Sequence, residues 1–167
     1  MADFPDVATL LDAMASDLEA MGIREANPVI IGIHTGGAWV AEALARRITP
    51  DAPFGTIDIS FYRDDFSRMG LHPQVRPSHL PVPVDNRVVV LVDDVLHTGR
   101  TIRAAMNEIF DYGRPERIIL AVLATRPGRE LPIAPDVVGQ VVETLPPGGH
   151  IRLSGPEPLR LSLESTA

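Results

Sequence analysis

The stretch Val88-Val89-Val90-Leu91-Val92-Asp93-Asp94-Val95-Leu96-His97-Thr98-Gly99-Arg100-Thr101 decides the fold. Five apolar, mostly β-branched residues at its start predict a buried strand. Two carboxylates follow. A Thr-Gly turn then leads into Ile102, Ala105, Met106, Ile109 and Phe110, whose three- and four-residue spacing predicts a helix. Each part has a chemical use. Paired carboxylates accept hydrogen bonds from a vicinal diol and orient a hydrated divalent cation. The N–H groups and dipole at the start of a helix favour an anion, and the hydroxyls of Thr98 and Thr101 add donors. Together they would hold a ribose by its diol and its 5′-phosphate at once. Aspartates that solvate a strand end and a threonine that caps a helix explain either half alone, but the full combination is specific.

Reading outward, Val7, Leu10, Leu11, Met14, Leu18 and Met21 predict an amphipathic helix ended by Gly22. Val29 to Ile33 reads as a buried strand, His34 to Gly37 as a turn, and Val40 to Ile48 as a second helix with Arg46 and Arg47 near its negative end. Phe54 to Tyr62 alternates and reads as another strand. Residues 63–87 carry four arginines and prolines at 73, 77, 81 and 83, which predicts an extended, flexible arm. Ile118 to Leu123 is a further strand. Seven prolines from Pro127 onward break the tail into short strands and turns.

Strands that alternate with helices imply an α/β fold with a mostly parallel central sheet flanked by helices. We read residues 1–167 as one domain. Ligands in such sheets bind at the carboxyl ends of the strands, which singles out 34–37 and 93–101.

Composition narrows the chemistry. The chain holds 15 cationic and 22 anionic side chains, a net charge of −7, and every cation is arginine. Without lysine there is no Schiff-base chemistry and no lysine-dependent phosphate loop. Without cysteine there are no thiol nucleophiles, disulfides or thiolate metal sites. The acidic balance argues against a dedicated nucleic-acid binder, although a local arginine patch could override it. No basic-then-apolar leader is visible at the N-terminus and no apolar run is long enough for a membrane span, so a cytoplasmic location is expected.

The element Val89 to Thr101 resembles the thirteen-residue phosphoribosyl-pyrophosphate signature of the type I phosphoribosyltransferases. Ile31-Gly32-Ile33-His34-Thr35-Gly36-Gly37, Asp58 to Asp65 with its Tyr62-Arg63-Asp64-Asp65 core, Gly113-Arg114-Pro115 and Arg129-Glu130-Leu131-Pro132-Ile133 follow in order. Over roughly residues 5 to 160, the chain is similar to the pyrimidine-operon regulators that are also uracil phosphoribosyltransferases. The resemblance implies a type I phosphoribosyltransferase fold with a β-arm and a small β-rich hood at 125–150. It implies conversion of uracil and phosphoribosyl pyrophosphate to UMP and pyrophosphate, with Mg²⁺ as cofactor. It also implies homo-oligomers, dimers or larger.

The residues then take expected roles. Asp93 and Asp94 hold the ribose and, through water, the metal. Val95, Leu96, Thr98, Gly99, Arg100 and Thr101 line the ribose 5′-phosphate site. Thr35, Gly36 and Gly37 form the pyrophosphate loop, where the family commonly has arginine or lysine. Arg63 reaches in from a lid, with Arg68 and Arg76 as further candidates. His97 could take a proton from the attacking ring nitrogen near neutral pH, or could simply be a surface histidine. Thr125 and Arg126 belong to the base-binding region, where the family usually has aspartate before the arginine. Two alternatives stand beside the uracil enzyme: a nucleotide-sensing RNA-binding attenuator with little catalysis, and a phosphoribosyltransferase for another base. On charge, catalysis with weak or absent RNA binding is expected.

Overall fold

The computed structural model describes residues 3–51, 53–59 and 78–165. The chain runs α1 (Val7–Ala20), β1 (Val29–Ile33), α2 (Gly36–Ile48), β2 (Phe54–Ile57), β3 (Val88–Leu96), α3 (Arg100–Tyr112), β4 (Arg117–Thr125), β5 (Val137–Val141), β6 (Gly149–Ser154) and β7 (Arg160–Ser165). Five strands form a sheet of order β2-β1-β3-β4-β5, and every pairing in it is parallel. β6 and β7 pair antiparallel as a separate hairpin. The expected α/β architecture is therefore present.

The two faces of the sheet follow from strand alternation. Val88, Val90 and Val92 of β3 face one way and pack with Leu10, Met14 and Leu18 of α1 and Val40 and Leu44 of α2. Val89 and Leu91 face the other way and pack with Ile102, Ala105 and Ile109 of α3. α2 leads from β1 toward one edge, and α3 leads from β3 toward the other. Right-handed crossovers in opposite directions put those helices on opposite faces. Burying one large aliphatic side chain contributes about 1.5–3 kcal/mol, so these two layers fix the sheet firmly.

Several elements differ from their sequence reading. β3 continues four residues past Val92, because Asp93, Val95 and Leu96 pair with Val122, Ala124 and Thr125 of the equally long β4. The acidic pair thus lies within the last turns of the ladder rather than in a loop after it. β2 stops at Ile57, short of the expected Tyr62, and residues 60–62 lie outside the described residues. The arm at 63–77, including Arg63, Arg68 and Arg76, also lies outside them. Its return end is described: His79 exchanges two backbone hydrogen bonds of 2.8 Å with Thr56, so the chain comes back antiparallel along the outer edge of β2. Within the expected hood region 125–150, β5 joins the main sheet as its parallel edge strand. The hairpin lies farther on, with Leu153, Leu159 and Leu161 packed into the α1–α2 layer beside Trp39.

Candidate active site

β1 and β3 are neighbours, yet the chain leaves them in opposite directions. Their carboxyl ends frame the crevice in which open parallel sheets of order 2-1-3-4-5 bind ligands. Two segments meet there: the turn after β1 and the acidic end of β3.

Asp93 is buried, at 6% exposure, and Asp94 is partly exposed. The Asp94 N–H donates to Asp93 Oδ1 at 2.9 Å, and the Val95 N–H donates to Asp94 Oδ1 at 2.7 Å. Each carboxylate is held by the backbone of the residue after it. Opposite them, a β-carbon on Gly36 would stand 2.2 Å from Asp94 Oδ2. One on Gly37 would stand 2.7 Å from the Val92 carbonyl oxygen and 2.9 Å from Asp93 Cα. Bare backbone is needed for this approach. The Gly36-Gly37 pair is what lets α2 start directly against the acidic strand end.

Beyond Leu96 the chain turns through Thr98 and Gly99 into α3. Gly99 is the N-cap and has φ +97°, a backbone conformation that glycine adopts without a β-carbon clash. Thr98 Oγ1 accepts from the Arg100 N–H at 3.1 Å. The N–H groups of the first turn have no carbonyl partner inside an α-helix, so those of Thr101 and Ile102 point out from its positive end. Thr101 is partly exposed there. The Leu96 side chain is 1% exposed within the α3-side core, and its carbonyl accepts from the Arg126 N–H at 3.1 Å. Only its backbone borders the site. Val95 is partly exposed and pairs through its backbone with Ala124.

The segment after β4 closes over this turn. Thr125, buried at 7%, ends the strand, and its carbonyl accepts from the Val142 N–H at 3.0 Å. Arg126 is partly exposed, with its Nε 3.4 Å from the Pro127 carbonyl oxygen. His97 projects toward the same segment, because a β-carbon on Gly128 would stand 2.8 Å from its Nε2. Desolvation lowers the His97 pKa below its ordinary value, and the charge of Arg126 lowers it further; Glu130 opposes this and Arg129 adds to it. The imidazole stays exposed to solvent, and the balance of these effects favours its neutral form. Arg100 turns its guanidinium away along the turn, with Nε 3.0 Å from Glu130 Oε1.

The structure thus brings together Gly36, Gly37, Asp93 and Asp94, with Thr35 exposed at the lip of the turn. It brings the turn His97–Arg100 beneath residues 126–133. Sequence reading assigned no site role to Glu130, Leu131 or Ile133, which touch that turn. Their only signal was the Arg129–Ile133 element itself, thirty residues from its partner. For a divalent cation, two carboxylates with substrate oxygens and water suit Mg²⁺, which keeps several waters. Among the described residues no cluster of three or more histidine or acidic side chains forms an all-protein metal cage. Among the same residues no helix is long and apolar enough to cross a membrane.

A parallel sheet of this order, with an acidic strand end beside a glycine turn at the β1/β3 crevice and a Thr-Gly turn into α3, has the architecture of the type I phosphoribosyltransferases. The model of the phosphoribosyl transferase domain matches residues 2–151. A protein named "Bifunctional protein PyrR" from Pseudomonas paraeruginosa is 56% identical over 161 residues, covering 94% of this chain and 93% of that one. Another of that name, from Nitrosococcus oceani, is 51% identical over 166 residues, covering 95% and 93%. A solved purine phosphoribosyltransferase from Pyrococcus horikoshii is 31% identical with a TM-score of 0.62, covering 81% and 82%. A hypoxanthine-guanine phosphoribosyltransferase from Bacillus anthracis shares the fold with a TM-score of 0.66 at 20% identity, covering 85% of each chain. The chain belongs to the phosphoribosyl transferase family and, within it, to the PyrR group.

Proposed function

We propose that this protein transfers the 5-phosphoribosyl group from phosphoribosyl pyrophosphate to uracil, forming UMP and pyrophosphate. The observation that carries this reading is the packing of Asp93 and Asp94 against Gly36 and Gly37, directly before the phosphate turn at α3. Asp93 and Asp94 accept hydrogen bonds from the ribose diol. Thr98, Gly99 and Thr101 hold the 5′-phosphate with backbone N–H groups and hydroxyls, and the Arg100 N–H, which donates to Thr98 Oγ1, sets the turn between them. Thr35, Gly36 and Gly37 offer backbone to the pyrophosphate. Mg²⁺, when bound with the substrate beside Asp93 and Asp94, neutralises charge on the leaving group. Catalysis is then mostly positioning and electrostatics.

Uracil is favoured as the base by the similarity to proteins named PyrR and by the Tyr62-Arg63-Asp64-Asp65 and Arg129–Ile133 elements. Thr125 and Arg126 border the base. His97, at the exposed edge of the turn, accepts the proton from the attacking ring nitrogen. Arg63, outside the described residues, is the cation we assign to the pyrophosphate side in a chain without lysine. The relatives' printed name is "bifunctional", and a role in regulating pyrimidine genes through RNA is the second reading. Arg100, Arg103, Arg126 and Arg129 are all at least partly exposed and supply a local basic surface. The net charge of −7 and the Arg100–Glu130 pair weaken it. Self-association completes the reading: Phe110 and Tyr112, 56% and 52% exposed near the end of α3, are large apolar groups suited to a subunit contact.

Initial rates with phosphoribosyl pyrophosphate and Mg²⁺ on uracil, hypoxanthine and guanine, run beside a titration of the protein's own pyrimidine-operon leader RNA, test this directly. Turnover confined to uracil with weak RNA binding is expected. Preference for a purine would replace the substrate, and a nanomolar, salt-sensitive RNA affinity without turnover would replace the function.

A further inference from the structure

The segment from Arg129 to Ile133 touches each of the residues His97, Thr98, Gly99 and Arg100. The N–H groups of Glu130 and Leu131 both donate to the Thr98 carbonyl, at 2.9 and 3.1 Å. The Arg129 guanidinium donates to the His97 carbonyl. Glu130 Oε1 accepts from Arg100 Nε at 3.0 Å. Leu131 and Ile133 pack beside Gly99, with side-chain atoms 3.4 Å from where its β-carbon would stand.

These contacts do more than fill space. A trans peptide is planar, with its carbonyl and N–H pointing in opposite directions. Anchoring the His97 carbonyl therefore aims the Thr98 N–H the other way, and anchoring the Thr98 carbonyl aims the Gly99 N–H. Those two N–H groups directly precede α3 and add to the Thr101 and Ile102 N–H groups of its first turn. The Glu130 carboxylate also draws the Arg100 side chain off to the hood side, so the anion is left to the backbone and the threonine hydroxyls. Ile133, Leu91, Ile102, Met106 and Ile118, together with Asp136, border an open pocket of about 210 Å³.

We propose that residues 129–133 are a clamp that orients the phosphate turn, with Glu130 and Ile133 as positioning residues acting on Thr98, Gly99 and Arg100. The inference rests on the reading of 98–101 as the 5′-phosphate site and adds the element that aims its donors. It also makes the hood and the phosphate turn one mechanical unit, so that order in one is shared by the other.

Calorimetric titration with ribose 5-phosphate, which carries the 5′-phosphate and no base, tests the clamp apart from turnover. Ile133→Ala should weaken binding by about tenfold or more, since small misplacements of a positioned group have large effects. Ile133→Val should bind within about twofold of the parent. Glu130→Gln, which keeps shape and removes the exposed ion pair, should weaken binding about two- to fivefold, and this variant carries the test if Ile133→Ala does not fold. The KM for phosphoribosyl pyrophosphate should rise in step. A lowered melting temperature with a parental Kd in both Ile133→Ala and Glu130→Gln would reduce the segment to a structural role and overturn the clamp. If the parent itself fails to bind ribose 5-phosphate, the phosphate-turn reading falls, and the clamp with it.

Discussion

Gly36 lies against the carboxylate of Asp94 so closely that a β-carbon there would stand 2.2 Å from Oδ2. Gly37 makes the corresponding approach to backbone, 2.7 Å from the Val92 carbonyl oxygen. The difference in what is struck separates two outcomes. Alanine at either position gains up to about 1 kcal/mol of helix propensity. At Gly36 the obstacle is a short side chain that can rotate, so Gly36→Ala should keep the fold and displace Asp94. A displaced reacting geometry of that size lowers kcat/KM by about a hundredfold. At Gly37 the obstacle is strand backbone, which cannot retreat, so overpacking of about 1–3 kcal/mol outweighs the helical gain. Gly37→Ala should therefore lower the melting temperature as well as activity. Steady-state kinetics and thermal melts of the two variants, side by side, check the contrast.

His97 supplies a pH prediction. Burial and the Arg126 charge lower its folded-state pKa below the unfolded value. Between those two values the unfolded chain binds a proton that the folded chain resists, so stability rises with pH through that window. The cost is absent above the unfolded pKa and grows as pH falls toward the folded one. His97→Asn should be relatively more stable than the parent at pH 5 than at pH 7.5, measured by denaturant midpoints. A ring-proton titration should place His97 below the ordinary histidine value, and Arg126→Gln should move it upward. If His97 accepts the base proton, the acid limb of kcat/KM should follow the same titration and disappear in His97→Asn.

The single tryptophan reports on the tail. Trp39 packs against the α1–α2 layer that also receives Leu153 of the hairpin, and a β-carbon on Gly155 would stand 3.3 Å from its ring. Leu153 is 7% exposed. Leu153→Ala should cost about 2–3 kcal/mol, and loosening the hairpin should shift Trp39 emission to longer wavelength below the main melting transition. Unchanged emission and melting temperature would show that the hairpin does not support this face.

Much of this was legible in the sequence because local signals agreed. The apolar run at 88–92, the acidic pair, the Thr-Gly turn and the amphipathic 102–110 face each point to the same strand-turn-helix unit, and the structure builds that unit. The extension of β3 to Leu96 was not legible, since it depends on ladder bonds to Thr125 rather than on hydrophobicity. For the same reason the burial of the Leu96 side chain in the α3-side core was not legible. The approach of Gly36 to Asp94 couples positions 58 residues apart, and the tie from Glu130 to Arg100 couples positions 30 apart. Periodicity carries no information about such pairs. β5 was hidden among prolines that mark turns on either side of it, and it is recruited to the sheet by the exposed edge of β4.

The central claim is that Asp93 and Asp94, set against the glycine turn, hold the phosphoribosyl group during transfer to uracil. The most direct measurement is UMP formation from uracil and phosphoribosyl pyrophosphate by the parent protein and by the folded double variant Asp93→Asn, Asp94→Asn. The parent should form UMP, and the double variant should lose about a hundredfold or more in kcat/KM, the scale on which aligned charge and hydrogen bonding act in a transition state. Equal turnover by the two proteins would contradict the site.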